Sequence, residues 1–244
     1  MLRKLISLLL VLSMLALPAA LAETDAVGVG ALKGPTAMGM VKMMQDKADT
    51  YAFTLAAAPD EVVPLLVKGE LDIAAVPATL GAVLYTNTKG AVKVLAINTL
   101  GVLYIVERGD TVHSVADLKG RTLVTAGKGS TPEYALNYIL KGNGLDPEVD
   151  VTIEFKSEHA ECLAAMLQDD SVVAMLPQPF ATVAQAKAGD IRIALDLTKE
   201  WDALQAGSDA PSTMITGVAV ARADFVGQNP DAVEQFLADY AESV

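Results

Sequence analysis

Cysteine is almost missing from this chain. Of its 244 residues only Cys162 carries a thiol, so no intramolecular disulfide can form and no cysteine stands at the leader's cleavage site to take a lipid. Positive charge is in deficit as well: 18 Lys and Arg stand against 30 Asp and Glu, a formal net charge of −12. With no basic stripe, such a surface repels phosphate backbones and argues against nucleic acid as a partner. Aromatic residues make up only 5%, and beyond the leader no apolar run is long enough to cross a bilayer.

The leader itself is legible. Met1-Leu2-Arg3-Lys4 is a basic start, Leu5 to Leu17 an apolar stretch, and Ala20-Leu21-Ala22 a small-x-small site. Together these read as a secretory signal peptide cleaved between Ala22 and Glu23, the apolar stretch being short for a membrane anchor and closing at Pro18. Loss of Arg3 and Lys4 takes the net charge to about −14, and the mature chain of about 222 residues is long enough for one large or two small α/β domains. The expected location is a periplasm or another extracytoplasmic space.

Strand and helix patterns then alternate. Val27–Leu32, Tyr51–Ala57, Leu71–Val76 and Val92–Asn98 read as strands, separated by helices over Pro35–Lys47, Pro59–Lys68 and Pro77–Thr88. That order predicts a parallel sheet covered on both faces. Gly101–Glu107 is extended, and Ser114 caps a short helix. A second run follows, with strands at Thr122–Thr125, Val151–Phe155, Val172–Leu176 and Ile191–Asp196. Its helices are Pro132–Lys141, Glu158–Gln168, Pro179–Lys187 and Lys199–Ala206, and the chain closes with a strand at Thr216–Arg222 and a helix at Pro230–Ser243. The predicted class is α/β, with two similar units and no flexible linker between them.

Four strand-to-helix junctions share one device, a Pro or Gly helix start with Thr or Ser: Gly34-Pro35-Thr36, Val76-Pro77-Ala78-Thr79, Gly129-Ser130-Thr131-Pro132 and Leu176-Pro177-Gln178-Pro179. In α/β proteins ligands bind at the carboxyl ends of parallel strands. There a helix start presents N–H groups, hydroxyls and roughly half a positive charge. Each junction also has a plainer reading, since Pro and Ser or Thr start and cap helices. Candidate ligand contacts are Gly34, Pro35, Thr36, Thr79, Gly129, Ser130, Thr131 and Gln178, with Tyr85 as a possible wall of the pocket. Lys33 and Lys128, each just before a glycine, would bias the mouth toward anions if they do more than meet solvent.

The motifs Leu32-Lys33-Gly34-Pro35-Thr36, Val67-Lys68-Gly69-Glu70-Leu71-Asp72-Ile73-Ala74, Ser114-Val115-Ala116-Asp117-Leu118-Lys119-Gly120-Arg121, Leu176-Pro177-Gln178-Pro179 and Gly217-Val218-Ala219-Val220-Ala221-Arg222 carry a family likeness. In these the mature chain resembles the bacterial ABC-transporter solute-binding proteins of the nitrate/sulfonate/taurine type. The resemblance implies a two-lobed type II periplasmic binding protein fold. Lobe one would be 23–100 plus 217–244 and lobe two 101–216, joined by two crossing strands at Thr99–Glu107 and about Thr213–Arg222. It implies a monomer without cofactor that holds a small polar or monoanionic solute between its lobes and delivers it to a membrane ABC permease. Members continue beyond a final helix like Pro230–Ser243, so the chain reads as C-terminally truncated.

Enzyme signals are weak. His159 and Cys162 lie three apart on one predicted helix, but a metal site needs more ligands and a catalytic thiol needs an orienting partner. They read as an exposed histidine and a buried cysteine. Gly127-Lys128-Gly129-Ser130-Thr131 lacks the spacing of a nucleotide phosphate loop. An enzyme on the same fold, with Lys33, Lys128 or Tyr85 as its acid or base, remains the alternative, as does a receptor for a membrane sensor.

Overall fold

Short, wholly apolar segments such as Ile73–Pro77 and Val173–Pro177 leave a strand no polar face to show solvent, and the chain buries them at the centres of two sheets. A computed structural model describes residues 26–244; the leader lies outside them. Sheet one is built from β1 (Val27–Leu32), β2 (Tyr51–Ala56), β3 (Ile73–Pro77), β4 (Val92–Leu100) and β10 (Ile215–Arg222), in the order β2-β1-β3-β10-β4. Sheet two contains β5 (Leu103–Arg108), β6 (Thr122–Ala126), β7 (Thr152–Lys156), β8 (Val173–Pro177) and β9 (Ile191–Asp196), in the order β7-β6-β8-β5-β9.

The two orders are the same pattern. In each, three strands run parallel, and the fourth, which arrives from the other sheet, is antiparallel to both of its neighbours. The sheets are therefore mainly parallel, as the alternation of patterns predicts, with one reversed strand each. Helices cover both faces of both sheets, which gives every sheet two apolar clusters. On sheet one these are α1 (Pro35–Met38), α2 (Val41–Asp46), α3 (Pro59–Lys68), α4 (Ala78–Asn87), α9 (Ala223–Gln228) and α10 (Pro230–Ser243). On sheet two they are α5 (Thr131–Gly142), α6 (His159–Gln168), α7 (Phe180–Lys187) and α8 (Leu197–Gln205).

Three details depart from the sequence expectation. The helix predicted over Pro35–Lys47 is two helices, broken at Gly39. There the Tyr240 ring of α10 comes so close that a Cβ on Gly39 would lie 2.8 Å from its hydroxyl. The short helix α9 was not foreseen. The first crossing is not one strand: β4 ends at Leu100 and β5 starts at Leu103, with Gly101 (φ 63) and Val102 (φ 68) turned into the left-handed region between them.

For a β-branched residue that conformation is strained. Val102 is held there by the Gln178 amide, which donates to its carbonyl at 3.2 Å, while the Gly101 amide donates to Met214 at 2.8 Å and ties the two crossings together. The second crossing runs as coil until β10 begins at Ile215, so Ile215 and Thr216 belong to sheet one rather than to the second unit. Trp201 anchors that coil by donating from its indole to the Ser212 carbonyl at 2.9 Å.

Candidate functional site

Six strands point their carboxyl ends at one place. A cavity of about 110 Å³ lies where the two sheets meet. Around it stand Leu32 at the end of β1, Ala57 after β2, Pro77 ending β3, Ala126 ending β6, Ser157 after β7 and Pro177 ending β8. Thr99, Val102, Leu103 and Thr216 from the crossings line it too. This is where the open edge of an α/β sheet accepts ligands, here doubled, with sheet against sheet.

The four predicted junctions do converge here, though not every residue named in them does. Pro35, Thr36 and Ser130 line the cavity. Gly34 is not in the lining itself, and a Cβ there would stand 3.8 Å from the Phe180 ring on the opposite sheet. Thr36 and Ser130 are buried, but their hydroxyls are already engaged, donating to the carbonyls of Leu32 at 3.3 Å and Gly127 at 2.7 Å. Thr79 and Thr131 bond to one another across the gap between the sheets.

Other predicted contacts are placed elsewhere. Gly129 is exposed, and its amide donates to the Glu133 carboxylate instead of facing a ligand. Gln178 turns its side chain to the start of α7, where its carbonyl oxygen accepts from the Thr182 hydroxyl at 2.9 Å. Tyr85 is 55% exposed on α4 and lies against Gly90, outside the cavity. Lys128 sits over the Phe155 ring, 5.6 Å from its centre. Lys33 does reach the cavity wall, with its side chain exposed.

Two further junctions, which the pattern of a Pro or Gly start with a following Thr or Ser does not describe, also reach the cavity. Ala57-Ala58-Pro59 opens α3, and Ser157-Glu158-His159 opens α6; both line the cavity. With the Ser130 junction they share a second device, a glutamate at the third helical position that reaches back over the helix start. Glu61 accepts the amides of Ala57 and Ala58, both at 3.0 Å, Glu133 that of Gly129, and Glu161 that of Ser157 at 2.9 Å. Ser130-Thr131-Pro132-Glu133 is a legible capping-box sequence, and Ala58-Pro59-Asp60-Glu61 and Glu158-His159-Ala160-Glu161 keep its spacing.

The most consequential departure is His159, expected to be exposed. It lines the cavity with its ring against Phe180, the centroids 5.5 Å apart. Its Nδ1 is cut off from solvent and has no hydrogen-bond partner. Burial pushes its pKa down to about 4, so the ring is neutral at ordinary pH. Cys162, buried as expected, faces the core, where burial pushes its thiol up to about 12. A thiol so held is not a nucleophile. Among the described residues no cluster of three or more His, Cys, Asp or Glu is placed to hold a metal ion. What the cavity offers is apolar wall, oriented hydroxyls and one neutral imidazole, a lining suited to holding a small molecule.

A family model described as "ABC transporter, phosphonate, periplasmic substrate-binding protein" matches residues 40–243. No curated relative matches the chain. Among solved structures, an ABC transporter protein from Parabacteroides distasonis is 21% identical, with 89% of this chain and 77% of that chain covered and a TM-score of 0.64. The periplasmic aliphatic sulphonate binding protein SsuA from Escherichia coli is 19% identical over 89% and 72% of the two chains, with a TM-score of 0.66. The alkanesulfonate-binding protein SsuA from Xanthomonas axonopodis pv. citri, bound to MOPS, is 17% identical over 91% and 74%, with a TM-score of 0.67. At these identities the likeness is one of fold, that of the periplasmic binding proteins.

Proposed function

The chain belongs to the ABC-transporter periplasmic substrate-binding family described for phosphonate, and from that premise we propose that the cavity between its two sheets is the solute site. Proteins of this family work outside the cytoplasm as the solute-binding component of an importer and hand their cargo to a membrane permease. The observation that carries the site reading is the lining itself: strand ends and helix starts of both sheets surround one cavity, and the paired crossings at Gly101 and Met214 run beside it.

In this reading lobe one is sheet one with its helices and lobe two is sheet two. They turn about Gly101–Val102, and a solute that touches both favours the closed arrangement. The leader is removed after Ala22, and the mature chain acts as a monomer. Thr36 and Ser130 contact the solute, a small polar or monoanionic organic molecule. Support for a binder rather than an enzyme comes from the lining, whose Thr36 and Ser130 hydroxyls donate to backbone carbonyls rather than to a base, and from Cys162, which is buried outside it. A sensor receptor would use the same site.

Isothermal titration and thermal shift against small sulfonates, phosphonates, nitrate and uncharged heterocycles test the reading. One site per chain is expected, with binding weakened by Ser130→Ala and no turnover of the bound compound. Chemical conversion of the bound compound would favour the enzyme. A compound that binds with unaltered affinity when Thr36 and Ser130 are both replaced by alanine would place the site elsewhere.

A further inference from the structure

Resting on the cavity as the solute site, we propose that five proline rings make it a rigid, size-limited cage for a short aliphatic body, with the solute's head group at the rim. Pro35, Pro59 and Pro77 enter it from sheet one, Pro132 and Pro177 from sheet two. They are five of the chain's eleven prolines, and each belongs to a different strand-to-helix junction. Pro35 and Pro59 take the first position of their helices, Pro132 the second of α5, and Pro77 directly precedes α4. Pro177 ends β8. At such a position any other residue would bring a backbone N–H; proline brings ring carbons instead.

Rigidity follows from the same chemistry. A proline ring is fused to the backbone and has no rotamer to swing aside, so it yields less to a larger guest than a Leu or Met wall would. Among the described residues no Phe, Tyr or Trp lines the cavity, so no aromatic plane is there for a flat ring to stack on. The buried hydroxyls are engaged with the protein: Thr36, Ser130 and Thr216 donate to the carbonyls of Leu32, Gly127 and Thr99. Of the lining residues only Lys33 and Ser157 are exposed. They mark the rim, where a head group, charged or not, stays near water.

Volume sets the ceiling. The two sheets already touch next to the lining, through the Thr79–Thr131 pair and through Phe180, which a Cβ on Gly34 would approach to 3.8 Å. The cavity's volume of about 110 Å³ is therefore the room left with the sheets together. An apolar cavity of about 150 Å³ accepts benzene, a ring of six carbons, so this cage holds a body of roughly four or five.

The test has two arms on the exported full chain. In the first, protein purified without unfolding is extracted with methanol and the released solute is identified by mass spectrometry; an aliphatic compound with a body of at most about five carbons is expected. In the second, straight-chain alkanesulfonates and alkanamides of roughly one to eight carbons are titrated as probes. Affinity in a series that binds should rise about 3- to 4-fold per carbon up to about four or five carbons, then fall. Pro59→Ala and Pro132→Ala remove ring carbons, one from each sheet's side of the cage, and alanine is well tolerated at a helix start. Each should move the maximum to longer chains by about one carbon. Pro230→Ala makes the same change at the start of α10, outside the cavity, and should leave the profile where it is. A released aromatic or longer-chain solute, affinity that keeps rising to the longest probe, or a maximum indifferent to both cavity prolines overturns the inference and leaves the cavity as the solute site. No released solute and no binding by either series overturns both.

Discussion

Thr79 and Thr131 face each other from the first turns of α4 and α5, on opposite sheets. The Thr79 amide donates to the Thr131 hydroxyl at 3.0 Å, and the two hydroxyls lie 3.1 Å apart. Both bonds exist only while the lobes are together. In the closure proposed above they belong to the closed state and stabilise it relative to an open one, by about 0.5–1.5 kcal/mol per bond. Thr131→Val keeps the shape and removes the acceptor. Small-angle scattering of the ligand-free variant should show a larger radius of gyration than the wild type. Solute affinity should fall by roughly 3- to 10-fold. An unaltered radius and affinity would mean that the pair does not bias closure.

Gly101 is the position of the first crossing least able to accept a side chain. Its φ of 63 already disfavours any L-residue, and a Cβ there would stand 2.3 Å from the Thr198 hydroxyl. Gly101→Ala is expected to lower unfolding stability by about 2 kcal/mol or more, through left-handed strain plus the clash. Thr198→Ala in the same chain should restore only the part due to the clash. Urea unfolding of the single and double variants separates the two. Full recovery in the double variant would show that φ is not the constraint.

Much of this architecture was legible because it is local. Apolar runs such as Ile73–Pro77 have one plausible fate, and Pro at a helix start marks a boundary within a residue or two. The break at Gly39 was not legible, because Tyr240 from the far end of the chain imposes it. The turn at Gly101–Val102 was hidden for a like reason, since Met214 and Gln178 hold it from distant segments. At the site, Thr36 and Ser130 could be found from their junctions, but not the fact that their hydroxyls are already committed. His159 looked like a surface residue on a polar helix start, and only the pairing of β7 and β8 on either side of β6 brings Phe180 beside it. The glutamates at the third helical position were in plain view, and their spacing was the signal passed over.

Among the described residues Glu107 is the best-satisfied acid. It is 2% exposed and accepts the Thr111 amide at 3.0 Å, the Thr111 hydroxyl at 2.7 Å, the Val112 amide at 3.0 Å and the Arg192 guanidinium. Burial alone would raise its pKa, but these bonds and Arg192 together outweigh it and hold the carboxyl below its ordinary value. A depressed folded pKa means that the carboxylate stabilises the fold above the unfolded pKa, near 4.3, and that this is lost as pH falls through the lower folded value. Glu107→Gln should cost about 2 kcal/mol at neutral pH, Arg192 being half-exposed and losing less than a buried partner would. The gap between wild type and variant in urea unfolding should stay level down to about pH 5 and narrow below it. A gap that is the same at pH 3.5 as at pH 7 would remove the carboxylate's charge from the account.

His159 works in the opposite sense. Its folded pKa of about 4 lies well below the value of 6.5 that it has when free of burial. Above about pH 6.5 the ring is neutral in both states and contributes no pH dependence. As pH falls from there toward 4, the unfolded chain takes up a proton that the folded chain refuses, so folding weakens, by at most about 3 kcal/mol when the change is complete. His159→Leu removes this loss. The variant and the wild type should therefore run parallel from pH 8 to 6.5 and diverge below, the variant becoming relatively more stable by pH 4.5. Chemical denaturation across that range measures the effect. Parallel curves down to pH 4.5 would mean that His159 meets water in the folded chain.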